Sequence, residues 1–146
     1  MTVKIDTETL PDAKNWLDRL DDPTALEVML QDHGHAIDAV RNGMAQLETA
    51  VTAIVERLRA DDTARIIYAG AGASIRIAVQ DGVELLPTFN WPRKRVAYLV
   101  AGGDKALIES VEDAEDDDGA ARAMVRNYAI KRHDVVLALA ASGRTK

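Results

Sequence analysis

From Leu26 onward the apolar residues fall in alternating steps of four and three. Leu26, Leu30, Ile37, Val40, Met44, Leu47, Val51, Ile54 and Leu58 form one seam, with His33 on it. This spacing predicts helix, and its heptad character also suits a coiled coil. Gly34 and Gly43 speak against one unbroken coil, since each costs up to about 1 kcal/mol against alanine in a helix interior. The reading is therefore two helices, about 24–32 and 35–60, breaking near Gly34 and packing on the rest of the chain or on a second subunit. Asp22-Pro23 supplies the N-cap and a proline at the first helical position. Upstream, Leu10, Ala13, Leu17 and Leu20, with Trp16 beside them, predict a short amphipathic helix over 9–20.

After residue 64 the pattern changes. Apolar runs predict strands at 65–69, 95–101 and 134–140. Between them lie predicted helices at 74–86, stopped by Pro87, at 104 to about 113, and near 119–129. Alternating strands and helices, with nearly continuous apolar strands, predict a parallel sheet covered on both faces. Three strands leave its edge open. The chain thus divides into a helical arm, 1–62, and an α/β part, 63–146.

Composition narrows the class. With 146 residues the chain suits one domain. No apolar run approaches the roughly 20 residues of a membrane span, and the amino terminus lacks the basic and apolar regions of a secretory signal. The absence of cysteine excludes disulfides and thiolate chemistry and suits a reducing compartment. A net charge of −6 argues against nonspecific nucleic-acid binding. An anionic ligand must then be held by backbone amides, hydroxyls and a single arginine.

Two strands end in loops of that kind. The first leads into Gly70-Ala71-Gly72-Ala73-Ser74, the second into Ser142-Gly143-Arg144-Thr145. Such strand–loop–helix turns build anion sites, although close packing explains a glycine-rich turn equally well. Ser74 at a helix start also reads as a plain N-cap, and the same holds for Ser142. Arg144, after a buried strand, suits bidentate phosphate contact. Only Lys146 follows the second loop, so a pocket is begun without its following helix.

Among the carboxylates, Asp81 and Glu84 share one helix face. Glu84 stands among Val83, Leu85, Leu86 and Pro87, where partial desolvation raises a carboxyl pKa towards that of a general acid. An exposed surface pair is the plainer reading of the same spacing. The acidic run Glu112 to Asp118 reads as a solvated helix end. His33, His35 and His133 have no metal spacing, and no metal site is expected.

Several strings together resemble the N-acetylmuramic acid 6-phosphate etherase family. Gly70-Ala71-Gly72-Ala73-Ser74-Ile75-Arg76 is similar to its Gly-Ala-Gly-Thr-Ser-Gly-Arg loop, and Asp81-Gly82-Val83-Glu84 with Pro87-Thr88-Phe89 to its Asp-x-x-Glu…Pro-Thr segment. Ala101-Gly102-Gly103-Asp104 and Val111-Glu112-Asp113-Ala114-Glu115-Asp116 resemble its next signature, and Ala140-Ala141-Ser142-Gly143-Arg144-Thr145 its closing loop. The resemblance implies a sugar isomerase (SIS) fold, a three-layer α/β/α parallel sheet, incomplete here, preceded by a helical arm.

It further implies a cytoplasmic, dimeric lyase that uses no cofactor and cleaves the D-lactyl ether of N-acetylmuramic acid 6-phosphate. The products are N-acetylglucosamine 6-phosphate and D-lactate, in cell-wall recycling. By motif, Glu84 is the acid and Glu115 the second carboxylate, acting as base. Gly72, Ser74, Ser142, Gly143, Arg144 and Thr145 hold the phosphate. The family's threonine is Ala73 here, and its glycine is Ile75, which adds bulk beside the phosphate. The other reading is a noncatalytic phosphosugar sensor, like the SIS-domain regulators of sugar kinases.

Overall fold

The computed structural model describes residues 16–141 and Gly143. The chain forms two compact units, Met1–Ala53 and Ile54–Lys146. In the first, helix α1 spans Asp22–Asn42, and α2, Met44–Ala60, begins there and runs on into the second. The cap of α1 is Asp21 rather than Asp22, its carboxylate accepting from the Thr24 amide at 2.9 Å. The helix break falls at Gly43, not near Gly34. Even there it is slight: the Gly43 amide donates to the Ala39 and Val40 carbonyls at 3.1 Å, and its carbonyl accepts from Leu47 at 3.0 Å. Gly34 stays helical because it faces open space and costs only its propensity, about 1 kcal/mol, within a long, capped helix. The seam from Leu26 to Val51 is uncovered, with Leu30 67% and Val51 57% exposed. Of the expected first helix, 9–15 lies outside the described residues, and Leu17–Arg19 is one 3-10 turn ending at extended Leu20.

The second unit is built on a three-stranded parallel sheet. Strand β1 (Ile66–Gly70) lies between β2 (Val96–Val100) and β3 (Val135–Leu139), with Ile66 opposite Val96 and Val135. Parallel neighbours require crossovers, and helices α3 (Gly72–Phe89) and α4 (Asp118–Asn127) lie in them. Alternate strand residues turn to α3, where Tyr68 and Val100 pack with Ile75, Ala78 and Ala106. The end of α2 adds Leu58, which packs with Ala64 and Val135. On the opposite face Ile67 is fully buried, whereas Val136 is 44% exposed. That layer is thin because α4 presents Ala120 and Ala121 towards a cavity instead of filling it.

Two helix boundaries differ from the sequence expectation. Helix α3 passes through Pro87 to Phe89 and is closed by Asn90 in the left-handed region at φ 52°. In the last turn, proline removes only one hydrogen bond, at a solvent-facing end. The helix expected over 104–113 shrinks to a 3-10 turn, Asp104–Leu107. Beyond it the Ile108 and Glu109 amides both donate to the Lys105 carbonyl, and the Arg76 side chain donates to the Ala106 and Glu109 carbonyls.

At the other end of the sheet, the Asp134 carboxylate is fully buried. It accepts from the Arg65 amide at 2.8 Å, the Lys131 amide at 2.9 Å, and Arg65 Nη2 and Nε at 2.6 and 3.1 Å. Burial alone raises its pKa, but the Arg65 guanidinium and the two amides outweigh it and hold the carboxyl below its ordinary value. Its stabilising contribution is therefore complete above the unfolded-state value of about 3.9 and is lost as pH falls through the lower folded value.

Asp134→Asn is expected to destabilise the protein by about 3 kcal/mol at neutral pH in urea denaturation. The gap to wild type should narrow as pH drops below about 4, where the wild-type carboxylate is also neutralised. A second test concerns Gly70, where an added Cβ meets the Leu139 carbonyl oxygen at 2.7 Å. Because that atom belongs to the neighbouring strand's backbone, Gly70→Ala should cost about 2 kcal/mol by forcing β1 and β3 apart.

Candidate functional site

The carboxyl ends of the three strands face one way and carry the loops. Beyond Gly70, Ala71 is extended and precedes α3 without a side-chain cap. Gly72 has φ +54°, a conformation that strains any L residue, and so admits glycine by preference. The Ile75 amide donates to the Ala71 carbonyl at 3.3 Å, so the amides of Gly72, Ala73 and Ser74 precede the helical ladder. They lie at the positive end of an 18-residue helix, where an anion is favoured. Ser74 stands inside this first turn and is not the N-cap. Ile75, next in the chain, is fully buried among Tyr68, Val100 and Ala106, with its Cβ packed beneath Gly70. In the second loop Gly143, at φ +66°, donates its amide to the Ala140 carbonyl at 3.2 Å. Ser142, Arg144 and Thr145 lie outside the described residues.

Two cavities open beside these loops. The larger, about 500 Å³, lies between the sheet and α4. It is lined mostly by small apolar residues, including Gly70, Ala71, Ala101, Ala140 and Gly143, and Glu115 is the charged residue among its described walls. The smaller, about 150 Å³, separates Ala71 and Gly72 from the segment Ser110–Glu115, with Arg76 in its wall. The structure thus gathers Gly72, Gly143 and Glu115 at one end of the sheet, with Ser74 in the adjoining helical turn.

Glu84 is not gathered with them. It lies twelve residues beyond Gly72 on α3, about 18 Å along the helix axis at 1.5 Å per residue. It is exposed: Gly82 is the buried residue of that turn, so Glu84, two positions on, points away from the sheet. Val83, Leu85 and Leu86 therefore do not enclose its carboxylate. Asp81 has a different part, accepting from the Tyr68 hydroxyl at 2.7 Å. Burial, and then this bond, raise the Tyr68 pKa well above that of a free phenol.

The acidic run divides into a turn and a helix start. Asp117 caps α4 by accepting from the Ala120 amide at 2.8 Å, and Asp118 pairs with Arg122 at 2.8 Å. Among the described residues no three His, Cys, Asp or Glu side chains converge as a metal would require. Likewise, no described helix is long and apolar enough to cross a membrane. Arg76, given no role by the sequence reading, donates from Nε to the Ala106 carbonyl at 3.0 Å and from Nη2 to that of Glu109 at 2.8 Å. Its signal was visible: an arginine in the opening turns of a helix that follows a glycine loop.

Comparison with known proteins places this architecture. The family described as glucokinase regulatory protein N-terminal SIS domain matches residues 38–145. An N-acetylmuramic acid 6-phosphate etherase of Deinococcus radiodurans is 40% identical over 129 residues, covering 88% of this chain and 42% of that protein. One from Pasteurella multocida is 38% identical, covering 95% and 46%, and one from Shouchella clausii 39%, covering 99% and 48%. The chain spans less than half the length of these curated relatives. With its parallel α/β/α core and loops at the carboxyl end of the sheet, the chain belongs to the SIS-domain family, and over most of its length it is similar to part of the N-acetylmuramic acid 6-phosphate etherases.

Proposed function

We propose that this chain is the amino-terminal part of a cytoplasmic lyase acting on N-acetylmuramic acid 6-phosphate. The reading is carried by the Gly70–Ser74 loop at the start of α3, of which Ala71 and Gly72 line one cavity together with Glu115. The 6-phosphate binds at Gly72 and Ser74 and at the second loop, Ser142, Gly143, Arg144 and Thr145. Glu115, next to this anchor, takes the proton adjacent to the sugar carbonyl. The C–O bond to the lactyl group then breaks, and the departing oxygen receives a proton from Glu84. Water adds to the resulting double bond, leaving N-acetylglucosamine 6-phosphate and D-lactate.

Because Glu84 sits about 18 Å along α3 from the loop, it serves a site completed by a second copy of the chain. The uncovered seam from Leu26 to Val51 supplies an apolar surface for such a homodimer. The regulatory-protein name of the matching family model favours a second reading, a phosphosugar-binding module without turnover.

Incubating the protein with N-acetylmuramic acid 6-phosphate should release D-lactate. Glu84→Gln and Glu115→Gln should each lower the rate about a hundredfold or more. Mixing the two variants under subunit exchange should restore roughly a quarter of the activity, since half the dimers then hold one intact composite site. No restoration places both carboxylates in one subunit. Thermal stabilisation by the phosphosugar without lactate selects the regulator.

A further inference from the structure

The geometry points to Arg76 as the residue that positions Glu115, by clamping the segment after β2 onto the first turns of α3. This rests on the reading of Glu115 as a member of the site. Arg76 lies four residues beyond Gly72, so its backbone is part of the element that opens with the anion loop. Its guanidinium spans two carbonyls of a different segment, Ala106 through Nε at 3.0 Å and Glu109 through Nη2 at 2.8 Å. A planar fork with two adjacent donors engaged fixes both distance and orientation, which a single point charge does not.

The clamped segment has little structure of its own. After the turn Asp104–Leu107, the Ile108 and Glu109 amides both donate to the Lys105 carbonyl. Buried Ala106 anchors its start, and Val111 lies close over Gly102, whose added Cβ meets the Val111 Cβ at 3.1 Å. From Ser110 to Glu115 there is one backbone turn, in which Asp113 at φ +59° accepts from the Asp116 amide at 3.2 Å. Among the described residues, the Glu109 carbonyl is the last hydrogen-bonded tie between this segment and α3 before Glu115. Arg76, Gly72 and Glu115 all line the same 150 Å³ cavity. Through Arg76, the distance between the anion loop and the carboxylate is set by side-chain hydrogen bonds rather than by a continuous element.

Hydrogen exchange and steady-state kinetics on Arg76→Met and Arg76→Lys test this. In Arg76→Met, amides 108–116 should exchange about tenfold faster or more, while β1 keeps its protection. D-lactate release should lose about tenfold in kcat, with KM moving by less than about threefold, because the phosphate anchor is intact. Lysine reaches one carbonyl at a time and should fall between wild type and Arg76→Met in both measurements. Unchanged exchange over 108–116, an equal rise throughout the sheet, or a loss confined to KM overturns the assignment. If the wild-type protein releases no lactate, the etherase reading fails by itself, and the exchange result still decides for or against the clamp.

Discussion

The contact between Arg65 and Asp134 fixes where three elements begin and end. A fully buried carboxylate is costly to desolvate, and an isolated one would not stay charged in such a place. Here four donors converge on it, two from the backbone and two from one guanidinium. The same Arg65 Nη2 also donates to the Tyr128 and Ala129 carbonyls at 3.1 Å, tying down the exit of α4. The entry of β1, the entry of β3 and the end of α4 therefore share one polar knot. From it the parallel register runs towards Gly70, and the loops at the far end inherit their positions from that register.

Much of this could be read in the sequence, and the failures have local causes. The three strands were placed to within a residue, because uninterrupted apolar runs leave little choice of element. The helix break was assigned to Gly34, whereas the chain yields at Gly43. Glycine propensity does not distinguish the two positions, and the hydrogen bonds closing α1 mark Gly43 as the break. The helix expected over 104–113 gives way to a 3-10 turn followed by irregular chain that Arg76 ties to α3, contacts that no window of sequence contains. Of the site, the glycine loop follows from strand-end logic, whereas Glu115 is singled out by the family resemblance alone, its acidic run reading otherwise as a solvated helix end. The exposure of Glu84 agrees with the plainer reading of Asp81 and Glu84 as a surface pair, since its apolar neighbours in sequence lie on other faces of the helix. Ile75, quoted within a loop motif, belongs by helical phase to the core.

Arginine-to-carbonyl bonding is a recurrent device in the second unit. Arg95 donates to the Ala64 and Leu58 carbonyls at 2.7 Å and stacks its guanidinium 4.4 Å from the centre of the Trp91 ring. Arg57 reaches the Arg132 carbonyl at 3.0 Å. Each uses a permanent charge to satisfy backbone acceptors where helices end or loops turn, positions that regular structure leaves unpaired. This suits a small sheet whose connecting segments are short of regular structure. It also leaves the side chains of Arg57, Arg65, Arg76 and Arg95 engaged with main chain.

The order of the strands bears on how the chain acquires its structure. Of the three described strands, β1 lies between the others and is synthesised first, whereas its partner β3 follows only after β2: Arg65 and Asp134 are 69 residues apart. Until β3 leaves the ribosome, β1 has one open flank, and Asp134 is not yet there to receive the Arg65 guanidinium. Loop closure over that span must precede any gain from the contact, so the pairing of β3 with β1 carries a larger entropic cost than pairing between strands closer in sequence. During that interval the flank of β1 that β3 will occupy stays open to mispairing.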